Sequence, residues 1–596
     1  MGTASHHPHA TPEPHRHRRA APHRPPRPPG AVPPVRPRAS GADPLHGTTA
    51  PPAPAPARPS VEGTSTMHLA QRAHRPWHTR LGATAATALG ALLLAALPAP
   101  QAHAAATLTN PGFEADATGT ATPAGWSTSS ATGQNSASYT ESGGASGSYR
   151  LSHWSSSAYQ VETYQTLTGL ANGAYTLSAK VRSSGGQNAA YLALRGCGGA
   201  EQRTDLPATP NGAWIRLVTS VQVTGGTCTV SLRSDAHAGE WANFDDLTFT
   251  PGTTGLTVKG GDLSTLPKNE AYGATYATAT GQRGDALGLL RGAGMNYVRL
   301  KVWVNPADGY NNKARVLAMA QRAKAAGAKV LVDFHYSDRW ADPGQQTKPA
   351  AWASHGYSQL RTDVYNHTYD VLDALKAQGT TADMVQIGNE INGGMLWPEG
   401  STANFGQLAG VLTSGAQAAK AVSATTQVAL HLAEGGDNGG TRWWFDQAVA
   451  RQVPFDVIAL SYYSYWHGPL SALQANLDDV SARYNKPVLV AETAYASTLA
   501  NNDALENVIA NSSQLAAGYP ATPAGQAANL RDVMNVVEAV PNGRGLGVVY
   551  WEPAWTAVKG SGWDPEDPAS GNAWENQALF DYSSRLLPAA NWFAHR

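Results

Sequence analysis

The sequence predicts an α/β chain, a (β/α)8 TIM barrel over residues 256–596 preceded by an all-β jelly-roll sandwich over 105–251. Three observations predict it. Eight short apolar runs in the last part of the chain each give way to a helical or loop stretch. Polar and aromatic residues gather at the C-terminal tips of those runs. The stretch before them alternates apolar and polar residues with period two and carries no helical periodicity. A doubly wound open sheet is the rival for the second part, but no Gly-rich phosphate loop follows the first run.

The chain has 596 residues, enough for several domains. Its formal charge of zero hides an asymmetry: residues 1–104 hold 11 Arg and no Lys against 3 acids, leaving 32 basic and 40 acidic residues beyond. No basic surplus remains to displace counterions from phosphates, which argues against nucleic acid as a partner. Residues 1–66, rich in Pro, Ala, His and Arg, cannot bury enough surface to offset chain entropy and are expected to be disordered. Met67 opens an export signal: Arg72, Arg75 and Arg80, an apolar run from Leu81 to Leu97, then Ala102-His-Ala104 as a cleavage site. Residues 67–104 are therefore expected as a signal peptide. Translation is expected to start at Met67, with 1–66 an artefact of the gene model; a genuine basic extension is the alternative. The expected mature chain begins near Ala105 and is a secreted monomer without a membrane anchor.

In the sandwich, Tyr175–Val181, Ala190–Leu194, Ile215–Val218, Cys228–Leu232 and Asp246–Phe249 are expected strands, with Asn172-Gly173 and Gly225-Gly226 as turns. Cys197 and Cys228 are the only cysteines, and in an exported chain they are candidates for one disulfide between neighbouring strands. Asn110-Pro-Gly-Phe-Glu114, Gly125-Trp126 and Trp241-Ala-Asn-Phe-Asp-Asp-Leu247 resemble the carbohydrate-binding modules attached to secreted polysaccharide hydrolases, the galactan-binding family most closely. Trp154, Tyr159, Tyr164 and Trp241 are then candidates to stack on sugar faces or, equally, to fill the core. Residues 252–255 form a short linker that brings the two domains within reach of each other.

Barrel strands are expected at Leu256–Asp262, Tyr297–Val304, Lys329–Tyr336, Met384–Glu390, Gln427–Ala433, Val457–Tyr463, Val488–Glu492 and Gly547–Trp551. Helices are expected between them, among others at Ala314–Ala326, Phe405–Val422, Leu470–Tyr484 and Gly525–Val540. The tips carry Asp262; Arg299 with Trp303; His335 with Asp338 and Trp340; Asn389 and Glu390; His431; Tyr462 and Tyr463; Glu492; and Trp551 with Glu552. So many hydrogen-bonding groups on one face suit a site, because a core built for stability alone would have to satisfy each of them. Two carboxylic acids at the ends of two buried strands, Glu390 and Glu492, are the minimum equipment for cleaving a glycosidic bond.

Asn-Glu at the fourth strand and Glu at the seventh resemble the large glycosidase clan built on this barrel. The resemblance implies Glu390 as acid/base and Glu492 as nucleophile, with Arg299 and Tyr463 holding Glu492 ionised and Asn389 on the sugar 2-hydroxyl. Lys259–Ser264, Val298–Trp303, Asp333–Pro343, Gln386–Glu390, Ser461–His467 and Val549–Ala554 look like the endo-β-1,4-galactanases of glycoside hydrolase family 53. That resemblance implies endo-cleavage of the β-1,4-galactan of pectin or type I arabinogalactan with retained stereochemistry. It also implies sugar contacts by Asp262, Trp303, His335, Asp338, Trp340, Trp397, His431, Trp466 and Trp551. A polymer of mannan, xylan or cellulose, or a non-catalytic galactan-binding role, stays open.

No cofactor is required by this chemistry. Bacterial members of the family often carry a calcium ion between the loops after strands seven and eight. Here the seventh loop lacks the Asp-Gly-Asp-Gly-His pattern expected for it. Asp503, Asn507 and Glu575 remain candidate calcium ligands, with an ordinary solvated acidic loop as the preferred reading.

Overall fold

The computed structural model describes residues 107–594 except 117, 118 and 121. The expected disordered segment and signal peptide lie outside the described residues.

Two antiparallel five-stranded sheets form the N-terminal domain. One runs in the order Ser127–Ser129, Tyr159–Thr168, Thr227–Ala236, Ala189–Arg195, Gln202–Asp205. The other runs Ser138–Ser142, Tyr149–Trp154, Trp241–Pro251, Gly173–Ser183, Ile215–Val223. Between them Phe113, Trp126, Leu177, Val181, Leu192, Leu217, Leu232 and Phe244 are buried. Five of these strands were not among those expected, and in several of them the buried positions are partly polar. In Tyr159–Thr168 the buried side is Tyr159, Val161, Thr163, Gln165 and Leu167. His153, fully buried, holds Ser234 Oγ at 2.9 Å and Thr163 Oγ1 at 3.0 Å, so these polar groups are satisfied rather than apolar. Cys197 and Cys228 are joined by a disulfide beside the paired strands Ala189–Arg195 and Thr227–Ala236.

The second domain is a closed barrel of eight parallel strands: Val258–Asp262, Tyr297–Val302, Lys329–Phe334, Met384–Ile387, Gln427–Leu432, Val457–Ser461, Val488–Thr493 and Gly545–Tyr550. They are numbered one to eight below. Four of them, the second, third, fourth and sixth, end two or three residues before the expected tips. The residues that leave the ladder turn into the left-handed region: Tyr336 (φ 49°), Glu390 (φ 48°), Glu434 (φ 64°) and Glu552 (φ 50°). Such backbone is uncommon for residues other than glycine and swings these side chains off the strand axis. Helices Lys313–Ala325, Tyr357–Ala377, Phe405–Val422, Leu470–Tyr484 and Pro523–Glu538 pack around the outside; the last buries Gln526, Asn529, Asp532 and Asn535 together with its apolar residues.

The sandwich sits on two of these helices. Arg216 pairs with Asp478 at 2.8 Å, and its backbone exchanges hydrogen bonds with the Gln474 amide. Arg531 reaches Asp205 at 3.0 Å, and Thr254 donates to Glu538. No helix among the described residues is long and apolar enough to cross a membrane.

Candidate active site

The floor of the site is one buried guanidinium. Arg299, inward-facing on strand two, has Asp262 at 2.7 Å, Glu492 at 2.8 Å and Asp333 at 3.0 Å, and donates to Asn389 Oδ1 at 2.9 Å. Gln386 Oε1 takes a further bond at 3.1 Å. Three carboxylates around one cation leave an excess of negative charge, which favours keeping a proton on any further acid nearby. The Tyr463 hydroxyl donates to Glu492 Oε2 at 3.1 Å. Burial, with Glu492 adding to it, holds that phenol well above its ordinary value, so it stays a donor.

Glu390 reaches the same cavity from strand four. Gly388 ends the strand at φ 83°, and a Cβ there would stand 2.6 Å from Ile391 Cγ2. Asn389 and Glu390 follow this turn. Burial raises both carboxyls above the ordinary value. Against it, Glu492 has the Arg299 guanidinium and the Tyr463 hydroxyl. For Glu390 the nearby Glu492 charge adds to burial and carries it up to about 8. The proton of the pair therefore rests on Glu390 and the charge on Glu492. A protonated acid facing an ionised, donor-held carboxylate is the equipment for glycosidic cleavage with a covalent intermediate.

The two acids open into a cavity of about 280 Å³, lined also by His335, Trp340, Asn389, Tyr463, Trp466 and Trp551. Among the residues expected against substrate, His335, Trp340, Trp466 and Trp551 do line it; Trp466 is 51% exposed. Five do not. Asp262 is fully buried on Arg299. Trp303 is buried beneath Trp340 and donates to His335 Nδ1, so it supports the floor rather than forming it. Asp338 accepts from the Asn305 and Ala350 amides and ties loops together. His431 is buried between Gln386 and Ser461 and accepts from the Glu390 amide. Trp397 packs on its own loop, donating to Gly393 O.

The sequence reading missed Asp342, Glu434, His467, Trp563 and Trp574 in the lining and the Asp333–Gln386 pair behind it. Gln386 has a signal, the one polar residue inside Met384–Ile387. The two tryptophans lie in the irregular segment after strand eight, where no period marks them. Trp563 stacks on Trp340 at 4.9 Å, and Trp574 meets Trp551 edge-on at 4.7 Å. Beneath Trp340, the Lys301 ammonium lies 4.2 Å from the ring centroid and pairs with buried Glu552 at 2.7 Å.

A solvated acidic loop is not what Asp503, Asn507 and Glu575 form. Asn507 and Glu575 are buried, and Glu575 accepts the Asn502 and Asp503 amides. Asn507 Oδ1 and Glu575 Oε2 are buried without a hydrogen-bond partner. Both lie near the Asp503 carboxylate, and no group of three or more His, Cys, Asp or Glu side chains placed to hold a metal ion occurs among the described residues.

On the sandwich, a hollow of about 480 Å³ is lined by Glu141, Arg150, Trp154, Arg182, Trp241 and Asn243. Trp154 and Trp241 are cross-strand neighbours there, and Arg182 donates to Asn243 Oδ1 at 2.9 Å. Of the other two candidate rings, Tyr159 is buried and bonded to His153 O, and Tyr164 lies under Arg195.

The model of glycosyl hydrolase family 53 matches residues 258–593. An endo-β-1,4-galactanase of Bacillus subtilis (strain 168) is 36% identical over 372 residues, covering 57% of this chain and 85% of that protein. An arabinogalactan endo-β-1,4-galactanase of Thermothelomyces thermophilus is 38% identical over 347 residues, covering 57% and 99%. Among solved structures, the family 53 catalytic domain of Ignisphaera aggregans superposes with a TM-score of 0.55 at 38% identity, over 58% of this chain and 99% of that one.

Proposed function

The chain belongs to glycosyl hydrolase family 53, and from that premise we propose a secreted endo-β-1,4-galactanase that acts with retention on pectic galactan or type I arabinogalactan. The observation that carries the reading is Glu492, held by Arg299 and Tyr463, sharing one cavity with protonated Glu390. Glu390 gives its proton to the bridging oxygen as that bond breaks, and Glu492 attacks the anomeric carbon to form a galactosyl ester. Glu390, now ionised, takes a proton from water, which displaces Glu492 and restores the original anomeric configuration. Asn389, its Oδ1 fixed by Arg299, keeps an amide hydrogen for the sugar 2-hydroxyl.

A substrate panel tests the reading. Reducing sugar is expected from potato galactan, as oligosaccharides, and not from mannan, xylan or carboxymethylcellulose. Equal release from any of the last three would replace galactan as the substrate.

The pH profile is expected to be bell-shaped. The acid limb is protonation of Glu492. The alkaline limb is loss of the Glu390 proton, near the value of about 8 to which burial and Glu492 raise it. Activity that keeps rising above pH 9 would contradict Glu390 as the acid.

Any calcium ion bound by Asp503, Asn507 and Glu575 would tie the segments after strands seven and eight without entering the chemistry. The sandwich is read as a galactan-binding module using the Trp154–Trp241 hollow. Trp154→Ala is expected to weaken adsorption to insoluble galactan about tenfold while hydrolysis of soluble galactotetraose stays within about twofold. Unchanged adsorption would remove the hollow from that role.

A further inference from the structure

We infer that the leaving-group half of the galactan chain occupies a second hollow beside the cleft, with Trp443 as its stacking surface. The inference rests on the galactanase reading and on Glu390 as the acid. The hollow is lined by Asn392, Glu434, Asp437, Trp443 and Trp444, and it shares Ala433 and Glu434 with the catalytic cavity. The two hollows therefore adjoin at Ala433 and Glu434, at the tip of strand five.

Its direction follows from the chemistry. The acid of a retaining glycosidase stands beside the departing oxygen, so the departing units lie on the acid's side. Glu390 follows strand four, and the second hollow opens at the tip of strand five, the next in the barrel. The Trp551, Trp563 and Trp574 wall belongs to strand eight and the segment after it, next to strand seven with Glu492. The two acids thus divide the groove into a glycone half and a leaving-group half.

The hollow is built from fixed parts. Asn392 accepts from the Ala433 amide at 2.7 Å, tying the segment after strand four to the tip of strand five. In helix Asn438–Ala450, Trp444 is buried and donates to Ile391 O, while its neighbour Trp443 is 51% exposed. Phe405 meets Trp443 nearly perpendicularly, at 82° and 6.0 Å. The contact steadies the indole while about half of its surface stays open to a sugar face.

The test compares galactohexaose, which needs both halves, with 4-nitrophenyl β-galactotrioside, whose leaving group reaches one position beyond the cleaved bond. Trp443→Ala is expected to lower the hexaose-to-aryl ratio of kcat/KM about tenfold, with Trp443→Phe restoring most of it. In hexaose labelled at the reducing end with ¹⁸O, cleavage by the alanine variant is expected to move toward that end, as the glycone half comes to dominate binding. An unchanged ratio and unchanged cleavage positions would overturn the inference and leave the galactanase reading intact. Failure of the wild type to cleave either substrate would overturn both. Should the alanine variant not fold, the wild type still decides. It must favour bonds with two or more galactosyl units on the reducing side, and release chiefly of single galactose from that end would overturn the inference.

Discussion

Replacing Glu492 by alanine is expected to lower kcat on galactan by about five orders of magnitude, with the fold intact. The loss is large because the side chain makes a bond in the transition state, and no other carboxylate on Arg299 is free to substitute. Asp262 and Asp333 are also near Arg299, but both are fully buried and engaged. These same two acids keep the guanidinium paired after the substitution, so the variant avoids the penalty of an uncompensated buried charge. Azide, small enough for the vacated space, is expected to attack an activated β-galactoside on that face and give the α-azide. Turnover within tenfold of wild type would remove Glu492 from the nucleophile's role.

Replacing Glu390 by alanine is expected to cost about three to four orders of magnitude on galactan and much less on a dinitrophenyl galactoside, whose leaving group needs no proton. Azide is then expected to give the β-azide, since it enters where water would. Glutamine at 390 has a second signature, in stability. Burial and the Glu492 charge raise the folded carboxyl from its ordinary 4.5 to about 8, so the native state keeps a proton that the unfolded state has lost between those values. Native stability from this group is fully present below pH 4.5 and falls as pH rises toward 8. Glu390→Gln lacks that loss and is expected to melt higher than wild type, by a gap that widens from pH 5 to pH 8. A gap that closes over that range would contradict a protonated Glu390.

Much of this was legible in the sequence where chemistry and period coincide. Phe405–Val422 and Leu470–Tyr484 keep their expected bounds because one apolar stripe and clear ends define each helix. The eight barrel strands were legible because burial on both faces makes them continuous apolar runs. Their last residues were not, since the turn of Glu390 or Glu434 into left-handed backbone leaves no mark in composition. The sandwich strands carrying Thr163, Gln165 and His153 were hidden for a different reason, a core that satisfies polar groups instead of excluding them. Within the site, tip residues were found but their depth was not. Trp303 and His431 look like ligands for sugar in one dimension, yet each lies one layer below the cleft, where it positions a neighbour. Trp563 and Trp574 come from a segment without period, so only the folded chain brings them to Trp340 and Trp551.

The central claim is that Glu492 bonds to the anomeric carbon that Glu390 serves. Its most direct test is to incubate the protein with a 2-deoxy-2-fluoro-β-galactobiosyl fluoride, digest it, and sequence the labelled peptide by mass spectrometry. The account predicts one stoichiometric label, on Glu492 within Val488–Thr493. A label on any other residue, or inactivation with none, would contradict it.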